Sequence, residues 1–128
     1  MRDLASNIAV VSAVAPAVLT ATNTSSAIDL QGFDAVALFI NTGAIAGSGN
    51  FTPKLQHSDT TETGDFVDVP AAGLVGTFPA ALAASTAYKV GYVGGKRYVR
   101  SVLTLNSGTS IAASALIVKG NAAQLPVA

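Results

Sequence analysis

The chain has 128 residues, the usual size of one domain, and no Cys, which removes disulfides, thiolate nucleophiles and Cys-based zinc sites together. Charged residues make up 11%, against about 25% in ordinary domains, and seven basic side chains balance seven acidic ones. Such a surface lacks the basic footprint of free nucleic-acid binding and suits a chain that partners partly cover.

Residues 1–16 read as an N-terminal arm. Ile8, Val10, Val11 and Val14 are apolar and Pro16 closes the stretch. Asp3 cancels Arg2, and Asn7 and Ser12 interrupt the apolar run, so the pattern is not that of a secretory signal. No stretch approaches the roughly 20 apolar residues of a membrane-spanning helix. An apolar arm left in water invites aggregation, so it must be buried on its own domain or on a neighbour. The neutral composition favours the neighbour. Deleting residues 1–15 is then expected to leave the domain folded and abolish assembly.

Residues 17–121 read as a β domain. Residues 17–22 alternate Val18, Thr20 and Thr22 against Ala17, Leu19 and Ala21, which buries one face of a strand. A short strand at 27–30 precedes Gln31-Gly32. Residues 34–41 are apolar on both faces and predict a central strand. Residues 42–50 hold three glycines and predict a loop. The next strand, 51–58, contains Pro53, which cannot donate to a ladder and points to an edge or a bulge. Residues 66–69 form a short strand before Pro70. Pro79 is placed to open one helical turn in the otherwise unpatterned 71–85 segment.

Gly94-Gly95 lies between strand-like runs at 88–93 and 98–106 and predicts a two-residue hairpin with positive φ. That register sets Tyr92 against Arg97, Val90 against Val99 and Lys89 against Arg100. A turn at Gly108 leads to a last strand at 110–119, and residues 122–128 read as a surface tail. About eight strands with minimal helix make the chain all-β, an antiparallel sandwich or a barrel.

No catalytic constellation is legible. The lone His57 has no orienting partner in sequence and reads as a surface or partly buried side chain. Asp59, Glu62, Asp65 and Asp68 cluster in one turn region, but their spacing does not match a calcium loop and suits a solvated hairpin tip. Gly91, Gly94 and Gly95 lack the strand–turn–helix context of a phosphate cradle. Neither cofactor nor metal is expected. Lys96, Arg97 and Arg100 form the basic cluster. Arg97 either stacks on Tyr92 across the hairpin or meets acidic groups on a neighbouring subunit. The candidate interface is therefore Ile8, Val10, Val11 and Val14 from the arm, with Tyr92, Arg97 and Arg100 from the hairpin.

The order of signals resembles that of small structural proteins from tailed-phage head-gene clusters, including head decoration, cement and stabilisation proteins and their relatives in gene transfer agents. MRDLASNIAVVSAVAP, AIDLQGFDAVALFINTG, FTPKLQHSD with DFVDVP, YKVGYVGGKRYVRSVLTL and ALIVKGNAAQLP carry the likeness. The resemblance implies a jelly-roll β-sandwich, a homo-oligomer such as a trimer, seated on a major capsid protein at the outside of the virion. It is then made in the host cytoplasm, with no direct contact to nucleic acid or membrane. It supplies no catalytic residues. Spike or fibre bases and tail proteins share this size and class. A carbohydrate-binding module is the competing reading, but the chain has no Trp platform.

Overall fold

The alternating pattern resolves into ten strands in a computed structural model that describes residues 4–122. In chain order they are β1 (Ala9–Leu19), β2 (Asn23–Thr24), β3 (Ile28–Asp29), β4 (Phe33–Ala46) and β5 (Asn50–Ser58). Then follow β6 (Val67–Asp68), β7 (Leu74–Val75), β8 (Ala87–Tyr92), β9 (Tyr98–Ser107) and β10 (Ser110–Ala122). Helix is confined, among the described residues, to single 3-10 turns at Ala5–Asn7, Thr63–Asp65 and Ala71–Gly73.

The strands form two antiparallel sheets. Sheet A runs β1-β10-β4-β8-β7, and sheet B runs β2-β9-β5-β6, with β3 also on β9. Four of the pairings are nested: β1 with β10, β2 with β9, β4 with β8, and β5 with β6. The chain is thus one long antiparallel ribbon, rolled up so that β10 meets β4 and β9 meets β5. This is the jelly-roll form of the sandwich. The roll turns its corner twice, between β4 and β5 and between β9 and β10. Gly108 sits there at φ 81°, and a β-carbon on it would lie 2.2 Å from the Ser48 carbonyl oxygen. Only glycine allows the two corners to nest this closely.

Period-two alternation builds the core. Leu38, Ile40, Val90, Ile111, Ala115 and Ile117 face inward from sheet A, against Phe51, Leu55, Val99 and Leu103 from sheet B, all at 2% exposure or less. Burying each large side chain of this kind contributes about 1.5–3 kcal/mol.

Four expectations need correction. Residues 9–16 of the expected arm are not separate, because β1 begins at Ala9, runs through Pro16 and pairs with β10 from Lys119 back to Ile111, while residues 1–3 lie outside the described residues. Pro16 is absorbed at an irregularity between Val14 and Ala17, where the register shifts. Gly94-Gly95 is not a hairpin turn: β8 belongs to sheet A and β9 to sheet B, so the link crosses between sheets. Tyr92 therefore pairs with Val36 and Leu74, and Arg100 with Gln56. Neither glycine has positive φ. The loop expected at 42–50 is shorter, since β4 continues to Ala46. At the other end β10 reaches Ala122, inside the expected tail, and residues 123–128 lie outside the described residues.

Pro53 behaves as its chemistry requires. β6 reaches only Gln56 and His57, so β5 has a free flank at Pro53. Segment 76–86 covers that flank without forming a helical turn at Pro79. Its Leu82 is buried, and the Leu82 amide donates to the Phe51 carbonyl at 2.9 Å. At its far end the Thr86 amide donates to Thr42 Oγ1 at 2.9 Å.

Candidate functional site

The two outer faces of the sandwich differ in chemistry. On sheet B the outward residues of β5, β6 and β9 are linked by polar contacts. Arg100 Nε donates to Gln56 Oε1 at 2.8 Å, and Gln56 Nε2 donates to Asp68 Oδ1 at 2.8 Å. Lys54 Nζ lies 3.3 Å from the same carboxylate. The Gln56 bond, then Lys54, hold the Asp68 carboxyl below its ordinary range. Asn106 Nδ2 donates to Thr52 Oγ1 further along the face. The Arg100 guanidinium also lies 4.4 Å from the Phe66 ring centre. This face is already satisfied and suits water.

On sheet A the outward positions are small or apolar except for Asn41 and Lys89. The register carries Val10 across to Val118 and Ala37, and Ser12 across to Leu116 and Phe39. Val10, Val18, Val75, Phe39 and Leu116 are all exposed. Lys89, paired with Phe39, is the one charged side chain on the outward positions of this sheet among the described residues. β1 bounds the face as an edge strand of eleven residues with no charge. The other sheet ends are two-residue strands, β7 in sheet A and β2 and β6 in sheet B. Short edges and charged edges are the usual guards against pairing with another chain, and β1 has neither, though Pro16 and its bulges break the second half.

A third feature lies at one end of the sandwich. There a cleft of about 420 Å³ opens between the start of β4 and the crossover from β8 to β9, lined among others by Phe33, Asp34, Tyr92, Gly94, Lys96 and Arg97. Its rim is built from ion pairs. Arg97 holds Asp29 through two bonds, Nε to Oδ1 at 3.0 Å and Nη2 to Oδ2 at 2.9 Å. These, with the Gln31 amide, lower the Asp29 carboxyl to about 2. Lys96 Nζ meets Asp59 at 2.9 Å, and Lys119 Nζ donates to the Asp29 carbonyl at 3.1 Å. Beneath the rim His57 Nδ1 lies 2.8 Å from the Tyr92 hydroxyl, with the two rings edge to face.

The expected interface residues do not converge. Val14 and Tyr92 are in the protein's own core, at 3% and 5% exposure, and present nothing to a partner. Ile8 and Val11 are half-buried, Val11 packing against that core. Val10 alone of the four apolar N-terminal residues is exposed, on the sheet A face. Within its own chain Arg97 lies over Tyr98 at 5.1 Å and pairs with Asp29, so the ring it stacks on is Tyr98 and not Tyr92. Arg100 belongs to the sheet B face. Val18, Phe39, Val75 and Leu116 were missed; parity along their strands, opposite to Leu19, Leu38, Leu74 and Ile117, is the signal that marks them.

The acidic residues of the 59–68 region likewise go to separate partners: Asp59 to Lys96, Asp65 to the Thr60 hydroxyl, and Asp68 to Gln56 and Lys54. Among the described residues no three metal-ligating side chains converge. Tyr88 and Tyr98 do not form a platform either, since the Tyr88 hydroxyl accepts the Ala83 amide and Tyr98 lies under Arg97.

No family model matches the chain, and no curated protein matches by sequence. Solved structures do. The SPBc2 prophage-derived protein YomS aligns over 88% of this chain and 93% of its own, with 13% identity and a TM-score of 0.53. That likeness establishes a shared fold. The infectious bursal disease virus structure (Gx strain) aligns over 93% of this chain and 33% of its own, at 13% identity and a TM-score of 0.45. PirA aligns over 90% and 94%, at 12% identity and the same score of 0.45. Those last two scores are too low to bear on the fold.

Proposed function

We propose that this chain is a non-enzymatic structural protein of a virion, a decoration or cement protein that assembles with copies of itself and stabilises the head shell from outside. The observation that carries the reading is the asymmetry of the sandwich. One outer face is a satisfied polar network, and the other is apolar, nearly uncharged and bounded by an edge strand whose first residues, Ala9–Ser12, carry no charge, proline or bulge. A contiguous apolar face of this kind marks a surface that another protein covers. We assign the first half of β1 and the neighbouring outward residues of β10 and β4 to a second copy of this chain. With no charge along β1, like can meet like without repulsion, and an antiparallel pair is self-complementary. The fold shared with a prophage-derived protein agrees with a viral origin.

Light scattering coupled to gel filtration tests the self-association, and co-sedimentation with empty capsids tests the shell. Val10→Lys and Leu116→Lys are expected to give a folded monomer, whereas Thr104→Lys on sheet B leaves the assembly intact. A wild-type protein that stays monomeric and ignores capsids overturns the reading. Binding on a glycan array in place of capsids identifies a carbohydrate module instead.

A further inference from the structure

The sole histidine occupies an unusual place. Phe51, Pro53 and Leu55 are the inward residues of β5, and His57 takes the next inward position, at the end of the sandwich beside the cleft. It reaches across the core to Tyr92 on the opposite sheet. The Tyr92 hydroxyl also accepts the Lys96 backbone amide at 3.1 Å. Having accepted that bond, the hydroxyl has its own proton left for Nδ1. Nδ1 accepts that proton when the imidazole is neutral and carries its own proton on Nε2; in the other tautomer, and in the imidazolium, Nδ1–H donates to the hydroxyl instead.

We propose that His57 is a pH-operated latch on the crossover from β8 to β9. Neutral, His57 accepts from Tyr92 and thereby orients the hydroxyl that anchors Lys96. Protonated, Nδ1 becomes a donor and the Tyr92 hydroxyl loses its acceptor. A second positive charge also arises beside the Lys96 ammonium, and the crossover lets go of the cleft.

The surroundings set the sign. From β8 and the crossover, Tyr92 and Lys96 face the ring; from the loop after β5, Asp59 and Asp65 share the same hollow. The strand neighbours are Val67 on β6 and Val99 on β9, neither charged. Burial first, then Lys96, press the imidazole below its ordinary 6.5, and Asp59 opposes them only in part. The unfolded or opened chain thus takes up the proton before the closed one. The closed form is at full strength above 6.5 and weakens as pH falls through the range just below it. The device is independent of what the apolar face of sheet A binds.

One histidine in the chain makes the test clean. Carbon-detected titration of the His57 ring in the full-length protein is expected to give a midpoint below 6.5 with the Nε2–H tautomer at neutral pH. The Lys96 and Gly95 amide resonances are expected to move with the same midpoint. Tyr92→Phe keeps the ring and removes the hydroxyl: the Lys96 amide loses its pH response while His57 still titrates. His57→Gln, neutral at every pH, removes that response by itself should the Tyr92 variant not fold. A His57 midpoint at or above 6.5, or Lys96 and Gly95 amides that stay still while His57 titrates, overturns the latch. A Lys96 response that survives in His57→Gln does the same.

Discussion

The Tyr92 ring lies back over Gly94, where a β-carbon would come within 2.4 Å of the phenolic oxygen. Gly94 is therefore kept free of a side chain by packing and not by turn geometry. Gly95 has open space around the same position. Gly94→Ala is expected to push the ring off His57 and destabilise the domain by about 1–3 kcal/mol. Gly95→Ala is expected to stay within about 0.5 kcal/mol of the parent. Urea unfolding of the two single variants checks the contrast, and equal losses would place a tight turn here after all.

The first strand gives a sharper outcome than a detachable arm would. Val14 is 3% exposed and sits in the core. Val14→Ala is expected to cost about 2–3 kcal/mol, the transfer term of two methyl groups plus a residual cavity. Removing residues 1–15 strips most of β1 from β10 and is expected to abolish cooperative unfolding. A truncated protein that still melts as one sharp transition would show that the strand is dispensable.

Asp29 makes an acid-stability prediction. Arg97 holds its carboxylate at about 2 against an ordinary 3.8. The folded value is the lower one, so the unfolded chain protonates first as the solution is acidified. The contribution of the pair is complete above 3.8 and lost as pH falls from there to about 2. Both partners are about half exposed, so the effect is small and salt-sensitive. Melting curves at stepped pH are expected to show a shallower acid decline in Asp29→Asn than in the parent.

Ser101 Oγ is buried on β9 without a hydrogen-bond partner, although the Ser101 amide is taken by Ser25 Oγ. A lone buried hydroxyl has lost its water and gained nothing in return. Ser101→Ala is expected to raise stability by about 1 kcal/mol, whereas Ser25→Ala lowers it. Chemical denaturation of both variants checks the opposite signs.

Strand chemistry was readable where alternation was clean. The 34–41 run did become the middle of sheet A, between β10 and β8, with Leu38 and Ile40 in the core and the apolar Phe39 left on the open outer face. Pro53 marked a position that no strand pairs on one flank, although β5 lies between β9 and β6 and not at the sheet edge. What alternation does not encode is which strand meets which. Gly94-Gly95 between two strand-like runs has the same local signature in a hairpin and in a crossover, and only the nested ribbon decides between them. The same blindness hid the His57–Tyr92 contact: parity with Leu55 and Val90 puts both side chains in the core, but the partners are 35 residues apart. Pro16 misled in a different way, because a bulge let β1 pass through it.

The pairing of β1 with β10 has a consequence for synthesis. The ribosome releases the N-terminal strand long before its partner exists, and nothing emitted in between can pair with it on that flank. Val14 and its neighbours stay exposed to other nascent chains until the last strand clears the exit tunnel. Closure is then a single late event that brings the two ends of the ribbon together, slow in proportion to the loop it must close. Translation rate and chaperone supply, more than the strength of the finished core, should govern how much of this protein reaches its folded form.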